Sequence, residues 1–168
     1  MFLKNTYYFV IVLVTLAITT SSCKKAPNYS KIPAIEFESL TVISEFNTLT
    51  DSVYLKISFT DGDGNIGNAP AGPNDFFAVL QKKIEGKYVD VNTNGLSFNG
   101  NLPLLSPYSL SGPIDGTITN NILFLYSTHP AIDVVKGDTV RFNVRIQDRA
   151  QNYSNWVTTT EMIMWKNF

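Results

Sequence analysis

Two stretches of this chain alternate apolar and polar side chains with period two. In residues 52–60, Val53, Leu55, Ile57 and Phe59 fall on one side, and Tyr54, Lys56 and Ser58 on the other. In residues 138–148, Val140, Phe142, Val144 and Ile146 oppose Arg141, Asn143, Arg145 and Gln147. Successive side chains of a strand point to opposite faces, so this spacing specifies a strand with one buried and one wet face. Such strands belong to antiparallel sheets.

The rest of the chain is less regular but of the same kind. Residues 35–46 read as a strand with a break. Residues 76–83 and 87–92 flank Glu85-Gly86, a hairpin turn signal. Residues 114–126 contain Ile122-Leu123-Phe124-Leu125-Tyr126, short and bulky enough for a buried strand. Residues 155–165, rich in Thr and aromatics, read as a last strand. Turn clusters at 61–74, 92–101, 111–113 and 136–138 separate these runs. No amphipathic helix is found after residue 33, and no solenoid repeat. Seven to nine short strands between turns predict an all-β fold, an antiparallel immunoglobulin-like β-sandwich, with a barrel as the alternative.

The N-terminus sets the compartment. Lys4 precedes an apolar run over residues 8–18, and small residues follow at 19–22. The run is shorter than the roughly 20 apolar residues that span a bilayer, so residues 1–22 read as a secretory signal peptide. Cys23, the single cysteine, comes next, in Ser21-Ser22-Cys23-Lys24-Lys25. A lone cysteine in an oxidising compartment cannot form an intramolecular disulfide. The segment resembles a bacterial lipoprotein signal, which implies acylation instead: diacylglycerol on the Cys23 sulfur would hold the chain on a membrane. Residues 23–33, with two prolines and three lysines, then read as a lipidated flexible tether, and residues 34–168 as a single domain. Lys24 and Lys25 would lie against anionic headgroups. Surface-exported lipoproteins of the Bacteroidetes type often carry acidic residues at these positions, so comparison with them implies an outer-membrane anchor facing the periplasm rather than the cell surface.

Without residues 1–22 the chain carries a net charge of −2. It has no basic patch of the kind nucleic acid requires. Catalytic signatures are equally sparse. His129 is the only histidine, which rules out a zinc site built on several imidazoles, and no nucleophile motif accompanies it. The acidic residues show no special pairing. A non-enzymatic role is expected, with an enzyme of unknown class as a distant alternative.

The sharpest local feature is Asp61-Gly62-Asp63-Gly64-Asn65-Ile66-Gly67. Asp61, Asp63 and Asn65 offer side-chain oxygens at alternating positions, and the glycines allow a tight fold. Hard oxygen ligands on such a loop suit Ca²⁺. It is not an EF-hand: the sixth position is Ile66 rather than Gly, and the twelfth is Gly72 rather than Glu. The competing reading is a turn in which Asp and Asn bond their own backbone. Asp148 leaves the second alternating stretch as Asp61 leaves the first. If both strands end together, Asp61, Asp63, Asn65 and Asp148 would share one cation. Otherwise Asp148 pairs with Arg149 or caps its turn.

The loop at 59–67 and the segment Asp148-Arg149-Ala150-Gln151-Asn152-Tyr153-Ser154-Asn155 together resemble those of small Bacteroidetes-type lipoproteins, which carry a "DGDGDIG" loop and a "DRAGNxSN" loop. Pro113-Ile114-Asp115-Gly116 resembles a short element between them. Asn65 stands where that group often has Asp, and Gln151 where it often has Gly. The later segment also resembles the last strands of bacterial immunoglobulin-like and fibronectin-type domains, which implies the sandwich. The resemblance supplies no chemistry. Finally, Tyr153, Trp156 and Trp165 cluster near the C-terminus. They read either as core or as a platform for a glycan or an envelope protein, with Tyr153 and Trp156 as the ligand-binding candidates.

Overall fold

The computed structural model describes residues 26–68, 72–104, 112–126 and 132–168. Residues 1–25, and with them the signal peptide, Cys23, Lys24 and Lys25, lie outside the described residues, as does His129. Among the described residues there is no α-helix, and no helix long and apolar enough to cross a membrane.

Eight strands among the described residues form two antiparallel sheets. β1 (Ala34–Glu45), β2 (Thr50–Asp61) and β5 (Ile114–Leu125) make the first, in the order β1-β2-β5. β3 (Phe76–Ile84), β4 (Lys87–Asp90), β6 (Thr139–Ile146), β7 (Val157–Thr158) and β8 (Met162–Ile163) make the second. Its order is β4-β3-β6-β7, with β8 also on β6. The two period-two stretches become β2 and β6, interior strands of the two sheets. Their apolar sides, Val53, Leu55, Ile57, Val140, Phe142, Val144 and Ile146, are fully buried.

The inner faces of both sheets contribute to one core. Phe124 of β5 and Phe142 of β6 lie 6.3 Å apart across it, and Phe98 from the loop after β4 sits 5.6 Å from each. Each large side chain fully removed from water contributes roughly 1.5–3 kcal/mol. Continuity of this core packs the two sheets face to face.

Local chemistry explains the irregularities. The break in β1 is a register shift between Phe37 and Ser39. At the tip of the β3–β4 hairpin Glu85 (φ 49°) and Gly86 (φ 81°) both take the left-handed conformation that a tight two-residue hairpin needs. Gly116 of β5 lies opposite Phe59, and a Cβ there would meet that ring at 3.1 Å.

The expectation of one last strand over 155–165 is corrected: only β7 and β8 pair there. Thr158 faces Asn143 and Met162 faces Val140, so one extra residue is inserted between the two pairings. Thr159 absorbs it. Its N–H donates to the Phe142 carbonyl (2.9 Å), and its hydroxyl oxygen accepts from the Phe142 N–H (3.0 Å). A threonine side chain thus replaces one rung of the ladder, as a β-bulge requires.

Candidate functional site

β2 and β6 belong to different sheets, yet both end at the same place. Asp61 is the last residue of β2, and Asp148 lies two residues beyond β6. Ile66 and Asp148 form an isolated antiparallel bridge, and the Arg149 N–H donates to the Asn65 carbonyl (3.1 Å). The two loops are therefore joined by backbone hydrogen bonds.

Turn chemistry accounts for part of the arrangement. The Asn65 N–H donates to Asp61 Oδ2 (3.0 Å). Gly64 (φ 71°) supplies the left-handed backbone on which the loop closes. Asp148 accepts the Asn152 N–H on Oδ1 (2.7 Å) and the Asn152 side-chain amide on Oδ2 (2.9 Å). Asp148 therefore caps its own turn. It does not pair with Arg149, whose guanidinium donates to the carbonyls of Ile66 (3.3 Å) and Gly67 (2.8 Å). Gln151 adopts φ 68°, so the tight turn forms without the glycine that suits it.

Turn chemistry leaves a remainder. One carboxylate oxygen from each of Asp61, Asp63 and Asp148 lies within 4.8 Å of the others. Oδ1 of Asp61, Oδ1 of Asp63 and Oδ1 of Asn65 are buried with no hydrogen-bond partner. Asp61 itself is 0 % exposed. The ion pairs of the described residues engage Lys56, Lys82 and Lys83, and none reaches this cluster. Burial pushes the Asp61 carboxyl above its ordinary pKa. The Asn65 and Gly64 N–H groups pull it back, and the neighbouring Asp63 and Asp148 charges push it further up. Calcium binds oxygens at about 2.3–2.6 Å, so two ligands on one ion are at most about 5 Å apart. The spacing of these carboxylates meets that limit.

The same two loops hold the start of the domain. The Gly62 N–H donates to the Ser30 carbonyl (2.7 Å). Asn155 brackets Ile35, accepting its N–H (2.9 Å) and donating to its carbonyl (2.8 Å). The Tyr29 hydroxyl donates to Asp115 (3.2 Å). Only glycine fits at position 62, because a Cβ there would lie 2.5 Å from the Tyr29 carbonyl oxygen. Gly62→Ala is therefore expected to lift residues 29–30 off the loop. The cost is about 1 kcal/mol for the lost hydrogen bond, and tryptic cleavage after Lys31 becomes several-fold faster. Mass spectrometry of a timed digest reads both the rate and the position of the cut.

The three C-terminal aromatics separate. Trp165 is 0 % exposed and belongs to the core. Tyr153 and Trp156 are 43 % and 44 % exposed and lie beside Arg145 on the outer face of the second sheet.

Sequence reasoning missed two buried carboxylates. Asp51 accepts the Trp165 N–H (2.8 Å) and the Ser44 hydroxyl (2.7 Å). Asp75 accepts the Leu102 N–H (2.6 Å), and burial pushes its carboxyl up. Both sit next to a strand terminus in unremarkable sequence, so no local pattern marks them. A cleft of about 350 Å³ lies between residues 96–100 and 120–123, and no acid or histidine lines it. No family model, no curated protein and no solved structure matches this chain.

Proposed function

We propose that this chain is a non-catalytic binding or scaffolding domain of the cell envelope, lipidated at Cys23 and braced by one calcium ion. The ion sits between Asp61, Asp63, Asn65 and Asp148. The observation that carries this reading is the set of buried Oδ1 atoms of Asp61, Asp63 and Asn65. None has a partner, and one oxygen each of Asp61, Asp63 and Asp148 lies within 4.8 Å of the others. A buried carboxylate oxygen without a donor costs about 1–3 kcal/mol or more, and a cation removes that cost and the mutual repulsion together.

The metal is structural in this reading. It ties the loop after β2 to the loop after β6, and those loops hold residues 29–35, the point where the tether joins the domain. Calcium thereby sets how stiffly the domain stands on its anchor. We read the two sheets as an immunoglobulin-like sandwich. Their orders, β1-β2-β5 and β4-β3-β6-β7, correspond to strands A, B and E against C′, C, F and G of that plan. The anchor faces the periplasm from the outer membrane, with Lys24 and Lys25 at the headgroups.

Two measurements test the two halves. Calcium titrated calorimetrically into the protein should bind once per chain, and not at all in Asp61→Asn. Cys23→Ser should abolish palmitate labelling and move the protein from the membrane to the soluble fraction. A Cys23→Ser chain that stays membrane-bound and labelled would refute the anchor.

A further inference from the structure

The outer face of the second sheet carries a cation that the fold does not neutralise. Arg141, Asn143 and Arg145 project from β6, and Gln147 follows just beyond it, on the side away from the core, which is lined by the buried Val140, Phe142, Val144 and Ile146. The two arginines are treated differently. Arg141 stacks on Tyr88 at 3.6 Å and donates through Nε to Gln81 (3.0 Å); Tyr88 in turn donates to Glu161, so an acid lies in the same network. Arg145 has no such acid. Its guanidinium lies 3.7 Å from the Tyr153 ring, 4.6 Å from that of Trp156 and 5.5 Å from that of Phe77. Its Nε is buried without a hydrogen-bond partner, and no ion pair of the described residues includes it.

Rings stack over the faces of a guanidinium and leave its N–H groups, which lie in the plane, unused. Those in-plane groups form the fork that matches a carboxylate. Tyr153 and Trp156 are only half covered, so each retains ring surface for a second partner. Beside them Asn143, with Thr158 donating to its oxygen (3.2 Å), and Gln147, whose side-chain N–H donates to the Gln151 carbonyl (3.2 Å), add amide groups with hydrogen-bonding capacity left for hydroxyls. Ring surface for a C–H face, amides for hydroxyls and a forked cation for a carboxylate are together the requirements of an acidic sugar.

We propose that Arg145, Tyr153 and Trp156 form a binding site for uronic-acid-bearing oligosaccharides, with the sugar carboxylate on Arg145 and the ring against Trp156. This rests on the reading of the chain as a non-catalytic binding domain and identifies its ligand class. The calcium brace lies in the loops, and the acidic-sugar site on the sheet face, so each can fail alone.

The test compares two hexasaccharides that differ only at C6: cellohexaose and the β-1,4-glucuronan hexamer, titrated into the full chain with Trp fluorescence and calorimetry as readouts. The glucuronan should bind roughly tenfold or more tightly than cellohexaose, the margin a charge-assisted bidentate pair supplies. Arg145→Gln should erase that preference, Arg145→Lys should reduce it, and Trp156→Ala should remove binding of both sugars. Polyglutamate should not compete. The proposal is overturned by absence of saturable glucuronan binding, by equal affinity for the two sugars, by competition from polyglutamate, or by full affinity in Trp156→Ala. Should Arg145→Gln fail to fold, the wild-type C6 comparison and Trp156→Ala still decide. An unchanged calcium response alongside failed sugar binding overturns this site and leaves the metal brace standing.

Discussion

In millimolar Ca²⁺ the protein is expected to melt roughly 10 °C above its midpoint in EDTA. A dissociation constant near 10 µM is ordinary for a site of this ligand type, and 1 mM is then about 100-fold above it. That excess adds about 2.7 kcal/mol to the folded state, and a domain of this length gains about 3–4 °C per kcal/mol. The informative variant is Asp61→Asn. Its amide oxygen can still accept the Asn65 N–H now received by Asp61 Oδ2. What it removes is one of three crowded negative charges. In EDTA the variant should melt at or above the wild-type midpoint, because repulsion is relieved. In calcium it should fall well below, because the ion is lost. An equal drop in both conditions would reduce the loop to turn chemistry.

The same carboxylate sets a pH dependence of opposite sign in the two conditions. Burial, with Asp63 and Asp148 nearby, raises the Asp61 pKa in the metal-free fold. The folded state then holds its proton to higher pH than the unfolded chain does. Asp61 is neutral to stability below its unfolded pKa, and it destabilises progressively as pH rises from there through the raised folded value. Calcium inverts this, because only the ionised carboxylate ligates: stability now rises with pH over the same acidic window. Subtracting the Asp61→Asn profile from wild type isolates this group. A difference profile with the same slope in EDTA and in calcium would contradict the site.

What the sequence could say about this fold depended on how far each signal reached along the chain. Period two in β2 and β6 is a local signal, and both strands appear with the predicted faces buried. The break in β1 and the Glu85-Gly86 turn are likewise local and likewise visible. The β7–β8 segment was misread because its pattern is interrupted by an inserted residue whose hydrogen bonds come from a threonine side chain, and periodicity cannot anticipate that substitution. The meeting of Asp61 with Asp148 is a long-range event. Sequence showed two acids leaving two strands; only the pairing of sheets decided that the strands end together. Arg145 was legible only as an outward residue of β6, since its rings come from β3 and from the loop after β6.

Trp165→Ala should destabilise the protein by about 3–5 kcal/mol, while Trp156→Ala should change stability by less than about 1 kcal/mol. The two tryptophans are nine residues apart in one aromatic-rich segment, and of the two Trp156 alone is a ligand-binding candidate by sequence. Their surroundings differ completely. Trp165 is 0 % exposed, packs edge-on against Tyr126 (5.6 Å), and directs its indole N–H toward the Phe124 carbonyl (3.4 Å). Its backbone N–H reaches the buried Asp51 carboxylate of β2. Truncation leaves a large cavity at the point where the C-terminal segment, carried by the second sheet, is locked onto β2 and β5 of the first. The loss is therefore one of sheet-to-sheet packing as well as of area. Trp156 turns its face toward Arg145, 4.6 Å away, and is 44 % exposed to water. Urea denaturation of the two variants reads the contrast directly. A large loss in Trp156→Ala would turn the Arg145 stack into a structural element of the sheet. A small loss in Trp165→Ala would mean that the core closes without its largest side chain.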